Sequence, residues 1–531
     1  MTTSLLLLAA GILVAALLSS RRRSRLPLPP GPRKLPIVGN LFNVPSTFPW
    51  EAYARLSKEY NSDIIHLDLV GKSIVILNSF EATTALFEKR SAIYSDRQVY
   101  HTSRILVIVS DFNCRDSLPM VNDLMGWSFT IGTMKYGDDW RIHRRLANRA
   151  LSFKTSRKYE PHEQLATRKL LKRMVSDPDA FFAHFRQMAG ELTMAFTYGI
   201  DVLPSKDPYV TLAQDAVHTW AAALVPGLYL VDTFPILKHV PSWFPGAGFK
   251  RKAREWRKLS WNMAELPFAE TKRQMQLDQE SGIAPSSFTA DALNASKDAT
   301  EPVFYQERHV RSTAATMYVG GADTTVSALG TFVLAMLSNP EAQSKAQAEI
   351  DSVIGGDALP TFEDRDSLPY VSALINEVLR WNNVTPMAVP RLLTVEDEYK
   401  GYRIPAGSVV IGNAWGLLHD ETVYPNPHAF KPERFLLPDG RLDPSVRDPG
   451  VAFGFGRRLC PGRHMATSSI WITVTSMLAT LNIKKAVGCE PSYQYTSAII
   501  SEPLPFKCVI EPRSSKAAAL IQSADTDTRR A

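Results

Sequence analysis

The sequence is short of several things, and each shortage removes a class of protein. Four cysteines (Cys114, Cys460, Cys489 and Cys508) in 531 residues do not make a disulfide framework, and no two stand close enough for a CxxC zinc knuckle. The thiols read as reduced and facing the cytosol. Net charge is scarce over most of the chain. Six of the 60 basic residues lie in residues 1–34, which hold no acid, and the other 54 face 53 acids. A body so close to neutral disfavours a nucleic-acid-binding surface, and no nucleic-acid partner is expected. There is no internal repeat. With 45% hydrophobic and 21% charged residues the chain is neither disordered nor collagen-like, and its length implies more than one lobe.

Residues 1–20 lack any charged side chain, and Leu5 to Leu18 is an unbroken apolar run. That is enough for a helix spanning hydrocarbon. A cleaved signal peptide carries its positive charge before the apolar run. Here the charge follows it, as Arg21-Arg22-Arg23-Ser24-Arg25. Positive residues beside a span stay cytosolic. The chain therefore divides into a transmembrane anchor (1–20), a basic, Pro-rich linker (21–36) that spaces a globular domain from the membrane, that domain (37–513), and a disordered tail (514–531).

Within the domain the pattern is mainly α with a small antiparallel β lobe. Residues 50–60 read as a short amphipathic helix. Residues 63–69 and 73–77, around Gly71, read as a β-hairpin. From about 80 to 335 most segments look helical. Residues 309–337 hold no proline and read as one long apolar helix, ended by Asn339-Pro340. A further helix over about 367–382 is followed by strands in 391–412. An irregular Pro-rich stretch then leads to a helix at about 464–480.

One local string carries chemistry: Phe453-Gly454-Phe455-Gly456-Arg457-Arg458-Leu459-Cys460-Pro461-Gly462. Glycines let a tight loop offer the sulfur against a flat object. Backbone N–H groups and a helix N-terminus behind it favour thiolate. Such a sulfur is a metal ligand, or a nucleophile with His464 as its base; the bland alternative is a Gly-rich turn with an incidental cysteine.

The string resembles the heme-binding loop of the cytochrome P450 family, Phe-x-x-Gly-x-Arg-x-Cys-x-Gly, with Phe453, Gly456, Arg458, Cys460 and Gly462 in the fixed places. Three more motifs of that family stand in the matching order: Gly320-Gly321-Ala322-Asp323-Thr324-Thr325, Glu377-x-x-Arg380, and Pro432-Glu433-Arg434-Phe435. The resemblance covers nearly the whole chain. It implies the cytochrome P450 fold and heme b, its iron held by the Cys460 thiolate, with Phe453, Gly454 and Gly462 shaping the loop. Trp140 and Arg144, otherwise readable as a solvated helix face, become partners of the heme propionates, as do Arg391 and Arg458. Glu377 and Arg380, otherwise a surface pair, become a buried network with Arg434 behind the heme. Gly320-Gly321 reads either as close helix packing or as an opening for dioxygen, with Asp323 and Thr324 relaying protons. By analogy, Phe129, Ala322, Met387, Val389 and Ile500 line the substrate pocket.

The resemblance is to microsomal, fungal members. It implies a single-pass protein of the endoplasmic reticulum with a cytosolic catalytic domain. Such a protein takes NADPH electrons from a flavoprotein reductase, with cytochrome b5 as a further partner, and inserts one atom of dioxygen into a lipophilic small molecule. The alternatives are a heme-thiolate isomerase or dehydratase, and a catalytically impaired product. The last arises because residues 99–115 are unlike their flanks, between Ser95-Asp96-Arg97 and Leu118-Pro119-Met120. They are either a translated retained intron or a natural insertion. Gly71-Lys72-Ser73 lacks the upstream glycine of a phosphate loop, and the sequons at Asn294 and Asn383 fall on the cytosolic side.

Overall fold

Strands with apolar side chains buried on both faces build the small lobe. Strands β1 (Ile64–Leu69) and β2 (Lys72–Leu77) pair antiparallel around the two-residue turn Val70–Gly71, where both residues have positive φ, the geometry that fits a tight hairpin. The computed structural model describes residues 26–97, 119–223, 228–281, 286–298 and 306–524. The anchor at 1–20 and the 99–115 insertion lie outside the described residues. Strands β3 (Asp96–Arg97), β4 (Arg391–Leu392), β5 (Asp397–Tyr399), β6 (Tyr402–Ile404) and β7 (Val409–Gly412) follow. Their five-stranded sheet has the order β1-β2-β7-β4-β3.

The expectation of an antiparallel lobe needs correction, because β2 and β7 run parallel. The connection between them contains most of the helices, which is long enough for a parallel return. The pairs β5–β6 and β8–β9 (β8 Leu481–Lys485, β9 Cys508–Pro512) are antiparallel.

The described residues hold thirteen helices of eight or more residues, one of them in the small lobe. They are α1 (Pro49–Glu59), α2 (Asp138–Ala150), α3 (Glu160–Ser176), α4 (Phe181–Tyr198), α5 (Pro208–Ala223), α6 (Gly248–Ser281), α7 (Phe288–Asp298), α8 (Glu307–Ala322), α9 (Thr324–Ser338), α10 (Pro340–Ile354), α11 (Pro369–Trp381), α12 (Arg463–Thr480) and α13 (Ser515–Ser523). Every residue of α9 from Thr325 to Leu337 is buried, so this helix has no polar face and runs through the core. The stretch Glu307–Ser338 is long and apolar enough to cross a membrane, but most of its apolar window is inside the protein.

Three further expectations change. The helix read over 309–337 is two helices, parted at Asp323. The described part of the linker does not stand free: Arg403 N donates to Pro27 O at 2.7 Å and His66 N to Pro30 O at 2.8 Å, which pins it along the small lobe. The tail is not disordered throughout. Ser514 caps α13, and Ala517 and Ile521 on one helical face are buried against the core, which offsets the cost of ordering the segment.

Candidate active site

The cysteine loop is held by close packing at Gly456. Gly456 has φ of 47°, and a Cβ there would lie 2.1 Å from the Phe87 carbonyl oxygen, so no larger residue fits. Phe455 beside it is buried against Phe87, ring centroids 5.5 Å apart. Cys460 N donates to Phe453 O at 2.9 Å and closes the loop, and α12 starts three residues later. Burial pushes the Cys460 thiol up; the Gly462 N–H and the charges of Arg144 and Arg463 pull it down only in part. The expected preference for thiolate is thus not met by the loop alone, because desolvation outweighs its donors. A cation on the sulfur reverses that balance.

Beside the loop, four guanidinium groups converge. Arg458 donates to Ser95 O (2.8 Å), Ile131 O (2.9 Å) and Met134 O (2.8 Å), and lies over the Trp140 ring at 4.4 Å. Arg391 donates to Phe455 O at 2.5 Å, Arg144 to Leu459 O, and Arg97 to Gly132 O (2.6 Å) and Val389 O (2.7 Å). Burial and mutual repulsion push Arg97 and Arg391 down to about 9 and Arg458 to about 8. Asp96 is the acid whose charge opposes this at Arg97 and Arg458. Arg391 Nη1 and Trp140 Nε1 are buried without a partner in the protein. With Glu88 acting on Arg391, the cluster still holds more cations than anions. Arg97 was not singled out from the sequence; its one signal was its place in Ser95-Asp96-Arg97.

Behind the loop the polar groups are fully engaged. Glu377 and Arg380 are both wholly buried. Arg380 donates to both Glu377 oxygens (2.6 and 2.9 Å) and to the carbonyls of Leu418 (3.0 Å) and Pro427 (2.7 Å). Arg434 Nε shares the same carboxylate at 3.1 Å to each oxygen, and Lys431 N adds a fourth donor at 2.8 Å. On the outer side of α12, buried Glu163 accepts from Ser468 Oγ at 2.7 Å; burial pushes its carboxyl up to about 8.

At the break between α8 and α9, Thr324 Oγ1 donates to Gly320 O at 2.7 Å. The two glycines separate the two readings of the motif. A Cβ on Gly321 would meet Thr193 Oγ1 at 2.8 Å, so Gly321 serves helix packing against α4. A Cβ on Gly320 would meet nothing within 4 Å, so Gly320 borders open space. Burial pushes Asp323 up, and Arg186 and His218 oppose the rise.

The Cytochrome P450 sequence model matches residues 29–510. The chain is 45% identical over 511 residues to cytochrome P450 monooxygenase 98 of Postia placenta, covering 95% of this chain and 94% of that protein. It is 41% identical over 520 residues to cytochrome P450 monooxygenase ple1 of Rhodocybe pseudopiperita (97% and 95% covered), and 38% identical over 517 residues to tryptamine 4-monooxygenase of Psilocybe cyanescens (96% and 97%). This chain belongs to the cytochrome P450 family.

Members of the family bind heme through a cysteine thiolate on the iron. The residues of this cytochrome P450 fit that group. They offer one half-buried sulfur, an excess of buried cations that two propionates would balance, two orphaned donors beside them, and open space at Gly320. His464 stacks edge-on with Phe153 at 5.5 Å, as a packing residue.

Of the residues expected in the substrate pocket, Phe129 stacks on Trp127 at 5.5 Å, and its carbonyl faces Thr316 Oγ1 of α8 at 3.5 Å. Ala322 is buried one residue before the break. Ile500 lies in a C-terminal loop tied to α9 by Ser327 Oγ donating to Ser501 O at 2.6 Å. Met387 packs on the small-lobe cluster of Tyr53, Ile65, Leu67 and Ile76, and Val389 offers its carbonyl to Arg97.

Proposed function

We propose that this cytochrome P450 is a membrane-anchored monooxygenase of the endoplasmic reticulum. It draws NADPH electrons through a flavoprotein reductase, with cytochrome b5 as an accessory donor, and inserts one oxygen atom into a lipophilic small molecule. The observation that carries this reading is the Asp323–Thr324 pair at a helix break bordering open space. Rearrangement or dehydration has no need of a hydroxyl and a carboxyl arranged to deliver protons.

When bound, heme supplies the electron-accepting iron that binds and activates dioxygen. The chain does the rest. Cys460 would hold the iron through its sulfur. Trp140, Arg144, Arg391, Arg458 and Arg97 hold the propionates. Glu377, Arg380 and Arg434 lock the loop behind. Thr324 Oγ1, now bonded to Gly320 O, turns to hold a proton at the oxygen site, and Asp323 resupplies it. Apolar Phe129, Ala322 and Ile500 exclude water from the substrate side.

Two observations support the membrane and the reductase. Leu230, Ile236, Trp243 and Phe244 are exposed apolar side chains in one stretch, and Ile37 and Phe42 in another that follows the basic linker in sequence. The outer face of α2, opposite Trp140, exposes Arg141, Arg145 and Arg149, a basic surface suited to an acidic electron donor. The test is co-expression with a reductase in microsomes. A thiolate-type carbon monoxide band and NADPH-dependent oxidation of a member of a lipophilic compound set are expected. Product formation without NADPH or dioxygen would overturn the reading.

A further inference from the structure

The inner face of α2 carries a histidine that meets a second one across the core. Trp140, His143 and Ala147 share that face, at helical spacings of three and four. His143 meets His309, in the first turn of α8, edge to face, with ring centroids 5.1 Å apart and planes at 83°. The two are 3% and 0% exposed, so water does not screen them. Asp139, one turn before His143, is caught by both rings. His143 Nδ1 donates to its carbonyl oxygen at 2.7 Å, and His309 Nε2 donates to its carboxylate at 3.2 Å. Arg308 makes a looser contact with the same carboxylate at 3.7 Å. The start of α2 is thereby fastened to the start of α8.

This fastening tolerates one positive charge and not two. A proton on the His309 ring is matched by the Asp139 carboxylate. A proton on the His143 ring has no carboxylate to itself, because its Nδ1 is committed to a neutral carbonyl, and it would sit against His309 and near Arg308. Glu307, also in the first turn of α8, is engaged by Lys272 of α6 at 2.7 Å. The groups that act on His143 are Asp139, His309 and Arg308. Burial pushes the ring below the usual histidine value of 6.5, His309 and Arg308 push the same way, and Asp139 opposes them in part. A value lower in the folded than in the unfolded chain gives stability that is full above pH 6.5 and is lost as pH falls below it.

The same stretch of α2 serves the site. Trp140 lies one turn before His143, under Arg458 at 4.4 Å, and Arg144 directly follows His143 and reaches the Leu459 carbonyl. We propose that His143 and His309 are positioning residues: with no more than one charge between them they hold α2 against α8 so that Trp140 and Arg144 stand at the heme propionates, and a second proton releases α2 and, with it, the heme. This rests on the reading of Trp140 and Arg144 as propionate partners.

The experiment follows heme transfer from full-length holoprotein to excess apomyoglobin as pH is lowered. In wild type the rate is expected to rise below about pH 6.5, by up to about tenfold per pH unit, the limit for one linked proton. His143→Gln removes the titrating ring and is expected to flatten that rise. His309→Gln keeps a neutral donor for Asp139, removes the facing charge, and is expected to rise less than wild type. A merely structural role would speed transfer by one factor at every pH. In magnetic resonance spectra of histidine-labelled protein, the His143 signal is expected to titrate below the usual range and to move up in His309→Gln. The same pH profile in wild type and either variant, with an unmoved His143 titration, would overturn the proposal. Arg144→Ala is expected to speed transfer at every pH. Transfer as slow as in wild type would overturn the propionate reading instead, and the His143 titration decides the coupling of the two rings in either case.

Discussion

The two sides of the site are built on opposite terms. Behind Cys460, every strong donor and acceptor in the Glu377–Arg380–Arg434 network is engaged, Glu377 and Arg380 are wholly buried, and the loop has no room at Gly456. On the other side, helix α8 stops at Ala322, Gly320 borders empty space, and the Thr324 hydroxyl is held by the Gly320 carbonyl. The first arrangement holds a ligand still. The second leaves groups that can exchange protons and change partners. Rigidity where iron is held, and incomplete satisfaction where protons move, is the division of labour that the geometry supports.

The sharpest break of this comparison is Cys460→Ala, which is expected to abolish the thiolate carbon monoxide band entirely. Retention of that band would end the account. Next comes Glu377→Ala. It leaves two buried guanidinium groups without their carboxylate, an expected cost of about 3–5 kcal/mol, so heme content should fall with thermal stability. Normal holoprotein would show that the rear network is not what holds the loop.

Smaller effects sharpen the other side. Thr324→Ala should leave heme content intact and cut product about tenfold while NADPH electrons run to hydrogen peroxide; full coupling would remove the hydroxyl from the relay. The two glycines should part company. Gly320→Ala gains about 1 kcal/mol of helix stability and loses oxygen turnover, whereas Gly321→Ala loses stability against Thr193. Thermal melts with oxygen uptake read both.

The smallest expected effect is a pH dependence of folding. Glu163 is raised from 4.5 to about 8, so the native state holds a proton that the unfolded chain has already released over that window. Stability contributed by this group is present at lower pH and is lost as pH rises from about 4.5 to about 8. Glu163→Gln should flatten that decline in melts run across the window. A parallel decline in variant and wild type would place the raised carboxyl elsewhere.

Local strings were legible from the sequence where their chemistry is local. The cysteine loop, the Glu377/Arg380 spacing and the β1–β2 hairpin each depend on residues a few positions apart, and the structure places them together. The anchor and the unusual 99–115 stretch rest on sequence pattern. Arg97 was overlooked because a single arginine in a short strand has no periodicity to mark it. Arg186 and Glu502 lie 316 positions apart, and nothing in either neighbourhood announces the other. The helix at Ser515–Ser523 was read as tail because its weak pattern needs the core beneath Ala517 and Ile521 to be worth ordering.

Spacing along the chain was enough to single out the Cys460 loop, Asp323 and Thr324, and the Glu377–Arg380 pair, because helix and turn geometry converts short separations into known distances. Folding was needed to bring the four arginines together, to part α8 from α9, and to set Glu502 against Arg186. Those arrangements depend on where distant segments come to rest, and packing, rather than local preference, sets that.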